Sequence, residues 1–186
     1  MDSELVVQAQ AGDQDAFARL ATASAGRLHS VAFNILRDRE LAQDATQQAL
    51  LSMWQALPSL RDPTRFDAWA YRTVVRACYA ESRRTKRYLA ALKALNSDGQ
   101  DAPDAIRRVE DRDQLDRALA GLSLDHRTVL VLRFHLDLKI DDIASVLDIP
   151  VGTARSRLDR AMKKVRPALV ADAPFERQPL PREVQR

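Results

Sequence analysis

The sequence predicts an all-α fold: two small helical domains joined by a flexible linker. Three observations predict it. Apolar residues recur at helical spacing through most of the chain. Glycine is scarce, with 5 among 186 residues, and aromatic residues make up only 5%, which argues against an all-β fold. Between two helical stretches, Asn96 to Asp104 (NSDGQDAPD) carries Gly99, Pro103 and three aspartates, the composition of an acidic linker. The resulting division is 1–87 for the first domain, 88–111 for the linker, 112–171 for the second domain, and 172–186 for a tail.

Bulk composition narrows the function. With 46% hydrophobic and 30% charged residues, most of the chain should fold. The net charge is only +3, but the basic residues are clustered, and clustering matters more than the sum for binding nucleic acid. Cys78 is the one cysteine, so the chain holds no internal disulfide and no cysteine-based zinc site. His29, His126 and His135 are scattered and form no metal triad. No cofactor is expected. Asp2 and Glu4 stand where a secretory signal would be basic, and no apolar run approaches membrane-spanning length. The expectation is a cytoplasmic protein with no membrane insertion. Phosphate-loop, dinucleotide-binding and H-E-x-x-H motifs are all missing, so no enzyme active site is in view.

In chain order, residues 3 to 11 form a short helix ended by Gly12. Asp13 caps a second helix, whose apolar positions Phe17, Leu20, Leu28, Val31, Ala32, Ile35 and Leu36 serve the core, with an interruption near Ser24 to Gly26. Asp38 caps a third helix to about Leu57. Its apolar side is Ala42, Ala49, Leu50, Met53, Trp54 and Leu57; its other side is Asp44, Gln47, Gln48, Leu51 and Gln55. A glutamine-rich face around one leucine suits a protein partner better than plain solvent.

Pro58 to Thr64 is a loop with two prolines. The helix after it, Arg65 to about Arg84, carries a stripe. Arg65, Arg72, Arg76 and Arg83 lie within roughly 20° of one another on a helical projection. Phe66, Ala70, Thr73, Val74, Ala77 and Cys78 lie opposite, and Trp69 and Tyr79 flank the stripe. Such a stripe is either a solvated face or a track for a nucleic-acid strand. A solvated face normally interleaves acids, and only Asp67 and Glu81 are at hand, so nucleic acid is favoured. Cys78 reads as a small buried hydrophobe.

In the second domain Leu115, Leu119 and Leu122 mark one helix. Ser123 or Asp125 starts another, with Val129, Leu130, Leu132 and Phe134 as core candidates. Then comes KIDDIASVLDIPVGTARSRLDRAMKKVR, Lys139 to Arg166. Ile140, Ile143, Ala144 and Leu147 have helical spacing; Asp148-Ile149-Pro150 breaks it; a new helix follows. In that helix Ala154, Leu158, Ala161 and Val165 fall on one side. Arg155, Ser156, Asp159, Arg160, Lys163 and Arg166 fall on the other. Either it is a solvated amphipathic helix or the second helix of a helix-turn-helix, free to enter a major groove. The four helices make one unit. The tail DAPFERQPLPREVQR has three prolines and few core candidates, and is expected to be disordered.

Taken together, these stretches resemble the extracytoplasmic-function (ECF) sigma factors of the sigma-70 family of bacterial RNA polymerase. LVVQAQAGDQDAFARL is similar to the family's first conserved segment, and RDRELAQDATQQALLSMWQAL to region 2.2. FDAWAYRTVVRACYAESRR is similar to regions 2.3 and 2.4, and the stretch from Leu122 to Val165 to region 4, in which PVGTARSRLDRA is the most specific match. The resemblance reaches to about Val170.

It implies two sigma domains, region 2 and region 4, and promoter-specific transcription initiation through −35 and −10 elements rather than catalysis. The implied partners are core RNA polymerase (its clamp coiled coil), promoter DNA and an anti-sigma factor. Asp44, Gln47, Gln48, Leu51 and Gln55 would dock on the polymerase. Leu60, Arg65, Trp69, Arg72, Arg76, Tyr79 and Arg83 would read and open the −10 DNA. Thr153, Arg155, Ser156, Arg157, Asp159, Arg160, Lys163 and Lys164 would face the −35 element. Two positions depart from the family. Arg76 stands where many members carry an asparagine associated with a flipped-base pocket. Asp159 is an acid on the DNA side; it either accepts from a cytosine amino group or pairs with Arg155 or Lys163, and the intrahelical pair is preferred. The rival reading is a stand-alone helix-turn-helix regulator that binds an operator as a dimer.

Overall fold

The computed structural model describes residues 3–95 and 114–171, and every regular element among them is helical. Helix α1 (Ser3–Gln10) buries Val6 and Ala9. The chain turns at Gly12, whose φ of 96° disfavours any side chain. The Asp13 carboxylate accepts from the N–H groups of Asp15 (2.9 Å) and Ala16 (3.0 Å) and so starts helix α2 (Gln14–Leu36). The interruption expected near Ser24 to Gly26 does not occur. Ser24 is buried on the same face as Leu20 and Leu28, and their packing outweighs the modest helix penalty of one glycine, about 1 kcal/mol.

Helix α2 ends on Arg37 in the left-handed conformation (φ 57°). Asp38 accepts from the Leu41 N–H at 3.0 Å and caps helix α3 (Arg39–Ala56). Two tight three-residue turns, Leu57–Ser59 and Pro63–Arg65, then lead into helix α4 (Phe66–Leu95). Asp62 caps the second turn. The Thr64 hydroxyl (2.6 Å) and N–H (3.0 Å) both donate to its carboxylate and hold it below the usual carboxylate range.

Two boundaries are corrected. Arg65 belongs to the turn, not to α4, because Pro63 fixes a turn there and Asp62 caps it. Residues 88–95, expected as linker, continue α4: YLAALKAL is rich in strong helix formers and holds no breaker. The rest of the expected linker, and the tail from 172, lie outside the described residues.

The first bundle packs α2, α3 and α4 together, with α1 against α2. Phe66, Leu20, Leu28, Ile35, Met53 and Leu57 are its largest fully buried side chains. Trp54, placed on the apolar side by the sequence, stays 39% exposed with its ring edge-on to Phe17 at 4.8 Å between centroids.

The second unit comprises α5 (Gln114–Ala120), α6 (Leu124–Leu130, capped by Ser123), a wide π turn (Val131–His135), α7 (Ile140–Leu147) and α8 (Val151–Ala171). Val129, Leu132, Ile143, Ala154 and Ala161 are fully buried. Phe134 is not core, as the sequence had it: it is 63% exposed. The π turn, closed by the Leu136 N–H on the Val131 carbonyl at 3.3 Å, shifts the register of a regular helix and turns Phe134 outward. The turn before α8 uses Asp148 in the left-handed conformation (φ 56°), and the Pro150 carbonyl accepts from Thr153 (2.9 Å) and Ala154 (3.1 Å).

The two bundles also meet. Helix α2 packs on α6 and the π turn, α4 packs on α7, and the buried apolar residues of both halves join in one cluster.

Core and surface assignments are separable by mutation. Leu132→Ala should lower unfolding free energy by about 2–5 kcal/mol. Phe134→Ala should change it by no more than about 0.5 kcal/mol. Urea unfolding compares the two, and equal losses would contradict the outward turn of Phe134.

Candidate nucleic-acid interface

Helix α8 has the two faces its sequence requires. Ala154, Ala161, Val165 and Ala168 are buried, and Leu158 and Met162 pack against the core. Around the rest of the helix, Arg155, Asp159, Arg160, Lys163 and Lys164 are exposed, and Thr153, Ser156 and Arg157 are half-buried. The Ser156 hydroxyl donates to the Thr153 carbonyl at 3.0 Å. Asp159 pairs with Lys163, one turn on, at 2.8 Å, which is the intrahelical pair. The surviving charge of this surface is strongly positive.

Arg157 does not project into solvent. Its Nη2 meets Asp125 Oδ2 of α6 at 2.8 Å. His126 beside it is held below the ordinary histidine value, first by burial and then by Lys164 and Arg160.

In α4, Phe66, Ala70, Val74, Val75, Ala77 and Cys78 are buried, and Arg76 and Arg83 are exposed. Arg65 is exposed in the turn before the helix, and Trp69 is half-buried at 6.0 Å from Phe66, centroid to centroid. Burial pushes the Cys78 thiol up to about 12, so it stays protonated. Arg72 donates to the carbonyl of Ser145 in α7 and, at 3.3 Å, to its hydroxyl. The Tyr79 hydroxyl donates to Asp125 Oδ1 at 2.7 Å, and burial with that bond pushes its pKa up to about 12. Leu60 is half-buried. Its carbonyl, and that of Leu57, accept from the Gln10 amide at 2.6 and 3.1 Å, which fixes the loop before α4.

Helix α3 presents the glutamine-rich face outward. Asp44, Gln47, Gln48 and Gln55 are exposed, and Leu51 among them is 57% exposed. Leu51 is therefore a surface position of a helix whose other face is core. Asp44 also lies 3.7 Å from Arg84 of α4.

The sequence did not point to the residues that tie the halves together. Arg37 pairs with Asp116 at 2.5 Å. Arg127 donates to the carbonyls of Ile35 (3.0 Å), Ala120 (3.2 Å) and Leu122 (2.9 Å), and its burial lowers its pKa. Ser30 and His135 are 3.0 Å apart. Only a fold that brings distant segments together makes these pairs. Open clefts lie between the halves. One of about 400 Å³ is lined by Arg76, Tyr79, Arg83, Asp125 and Arg157 among others. Another of about 320 Å³ includes Arg65, Trp69, Arg72 and Ser145. Among the described residues no cluster of histidine, cysteine and carboxylates could hold a metal ion, and no helix is long and apolar enough to cross a membrane.

Comparison with known proteins fits this geometry. The sigma-70 region 2 family matches residues 14–88, and sigma-70 region 4 matches residues 112–165. The ECF RNA polymerase sigma factor SigM of Mycobacterium tuberculosis is 32% identical, over 88% of this chain and 82% of that protein. The RNA polymerase sigma-H factor of Pseudomonas aeruginosa is 29% identical, over 98% and 96% of the two chains. In fold, the chain matches the sigma factor RpoE of Bartonella quintana, solved in complex with the anti-sigma factor NepR. That match has a TM-score of 0.67 and 21% identity, over 84% of this chain and 98% of that one. A region 2 bundle, a region 4 helix-turn-helix and relatives matched along nearly their whole length lead to one conclusion: the chain belongs to the extracytoplasmic-function sigma factors of the sigma-70 family.

Proposed function

We propose that this sigma factor binds core RNA polymerase through the exposed face of α3 and reads a promoter with two separate helices, α8 at the −35 element and α4 at the −10 element. The observation that carries the reading is α8 itself. One face is sealed into the second bundle, and the other exposes Arg155, Arg160, Lys163 and Lys164 with a single acid, Asp159, already neutralised by Lys163. Lysines of this kind hold a phosphate backbone, while arginine and serine near the helix start reach base edges in the major groove. Thr153 and Ser156 stand at that start, beside Arg155.

Helix α4 takes the melted −10 strand. Arg65, Arg76 and Arg83 offer charge to the backbone, and Trp69 with the Leu60 loop offers apolar surface to an unstacked base. Arg76, where relatives of this family often have asparagine, is exposed at the mouth of the 400 Å³ cavity, so a long donor replaces a short one at the base pocket. The polymerase does the chemistry; the sigma factor positions it. Each domain offers DNA a modest surface, and joining both through one polymerase raises the effective concentration of the second contact. The Bartonella quintana relative was solved with an anti-sigma factor, which supports a protein inhibitor of the same class for this chain. Asp44, Gln47, Gln48, Leu51 and Gln55 form the face assigned to the polymerase clamp.

Transcription with purified core polymerase on fragmented genomic DNA, with RNA 5′ ends mapped, tests the reading: new starts should share two spaced motifs. A stand-alone operator binder would give none. Arg155→Ala with Arg160→Ala should lower −35-dependent transcription at least about tenfold, since a good base contact carries about 1–3 kcal/mol, and leave polymerase binding unchanged. An equal fall in polymerase binding would show α8 to be misassigned. Gln47→Ala, Gln48→Ala and Leu51→Ala together should weaken polymerase binding about tenfold or more with the melting temperature unchanged. A lowered melting temperature would make these residues core.

A further inference from the structure

We propose that Gln10 is a positioning residue for −10 recognition: its amide ties down the backbone of the loop between α3 and α4 and so fixes where Leu60 meets an unstacked base. The inference rests on the reading of that loop and α4 as the −10 surface.

One side chain makes both ties. The Gln10 amide nitrogen donates to the Leu60 carbonyl at 2.6 Å and to the Leu57 carbonyl at 3.1 Å. Carbonyls only accept, so the NH2 end of the amide must face them, and its two hydrogens match the two acceptors. Helix α1 also packs against both tight turns of the loop. Gln10 itself is held at its own end. Val6 and Ala9 seal α1 into the first bundle. Directly after Gln10, the Gly12 N–H donates to the Ala9 carbonyl at 3.1 Å and the Asp13 N–H to the Gln8 carbonyl at 3.2 Å. The Asp13 carboxylate then starts α2. The donor is therefore presented from a rigid corner.

The loop has reason to use such an anchor. Pro58, Ser59, Arg61, Asp62 and Thr64 are exposed, and Leu60 is only half-buried. The bonds within the loop are local. The Leu60 N–H donates to the Leu57 carbonyl at 3.0 Å, the Ser59 hydroxyl to the Ala56 carbonyl at 2.6 Å, and Thr64 to Asp62. They shape each turn, whereas the Gln10 bonds reach the loop from another helix and set where it lies. Leu60, Arg61, Arg65 and Trp69 line one cleft, so the path of the loop sets the spacing between Leu60 and Trp69. A surface that selects one base from four needs such spacing held to about 0.5 Å. Without the amide, water can satisfy both carbonyls at this half-exposed edge. The fold then survives, and what is lost is the fixed path of the loop. A clasp that only stabilised the fold would act on melting temperature and on every promoter contact alike; a positioning residue acts on the choice of base at −10.

The test uses holoenzyme made from core polymerase and the full chain. Its probe is a promoter found by 5′-end mapping, with each −10 and −35 position changed one base at a time. Gln10→Met keeps the side-chain length and removes both donors; Gln10→Asn keeps the amide but is one methylene short. Either variant should lose about tenfold of the wild-type base preference at one or two −10 positions. Preferences at −35, polymerase affinity and melting temperature should match the wild type. In the free protein, amide hydrogen exchange at residues 59–62 should quicken about tenfold. Unchanged −10 preferences in both variants overturn the inference. So does an equal loss at −10 and −35, or a lowered melting temperature with all preferences reduced, either of which makes Gln10 a general clasp. Leu60→Ala separates this from the underlying reading. If Leu60→Ala relaxes the −10 preference and the Gln10 variants do not, the positioning role fails and the −10 reading stands. If Leu60→Ala too leaves every −10 preference unchanged, the assignment of this loop to the −10 element itself fails.

Discussion

Helix α4 has two obligations, and the rest of the molecule follows from them. Phe66, Ala70, Val74, Ala77 and Cys78 must leave water, and α2 and α3 supply the surface that covers them. A helix cannot bury one face without fixing what the opposite face presents. That face is Arg72, Arg76, Tyr79 and Arg83. Packing the apolar side therefore aims the arginines, with no further device needed.

The same constraint works in α3 and α8. In α3, sealing Ala42, Ala45, Ala49 and Met53 leaves Leu51 and its glutamines outward. In α8, sealing Ala154, Ala161 and Val165 leaves the arginines and lysines outward. Small residues dominate both sealed faces, which lets neighbouring helices approach closely and hold the outward face rigidly. The outward faces of these helices are thus by-products of core geometry, and their precision is that of the core.

Where the halves meet, polar contacts are added to the apolar cluster that both bundles share. A sigma factor must place two DNA-reading helices on one promoter, so a fused, fully apolar interface would oppose its work. The contacts seen between the halves draw on charged and hydrogen-bonding side chains, which polyanions and protein surfaces can replace at little cost.

By itself the sequence determined the helices and their faces. The Asp13 and Asp38 caps, the break at Asp148 to Pro150, the apolar stripes and the outward basic positions all follow from local spacing, because helical period and capping are set within a few residues. The ECF sigma resemblance was legible for the same reason: its motifs are contiguous stretches. Local reading failed where a neighbour far along the chain decides. Ser24 and Gly26 stay helical because Leu20 and Leu28 anchor the segment. Phe134 turns outward because the π turn shifts its register. Tyr79 finds Asp125 at a separation of 46 residues, and Arg72 finds Ser145 at 73. No pattern in either segment encodes the other, so only the tertiary structure decided which of the basic and aromatic side chains are free and which the protein holds for itself.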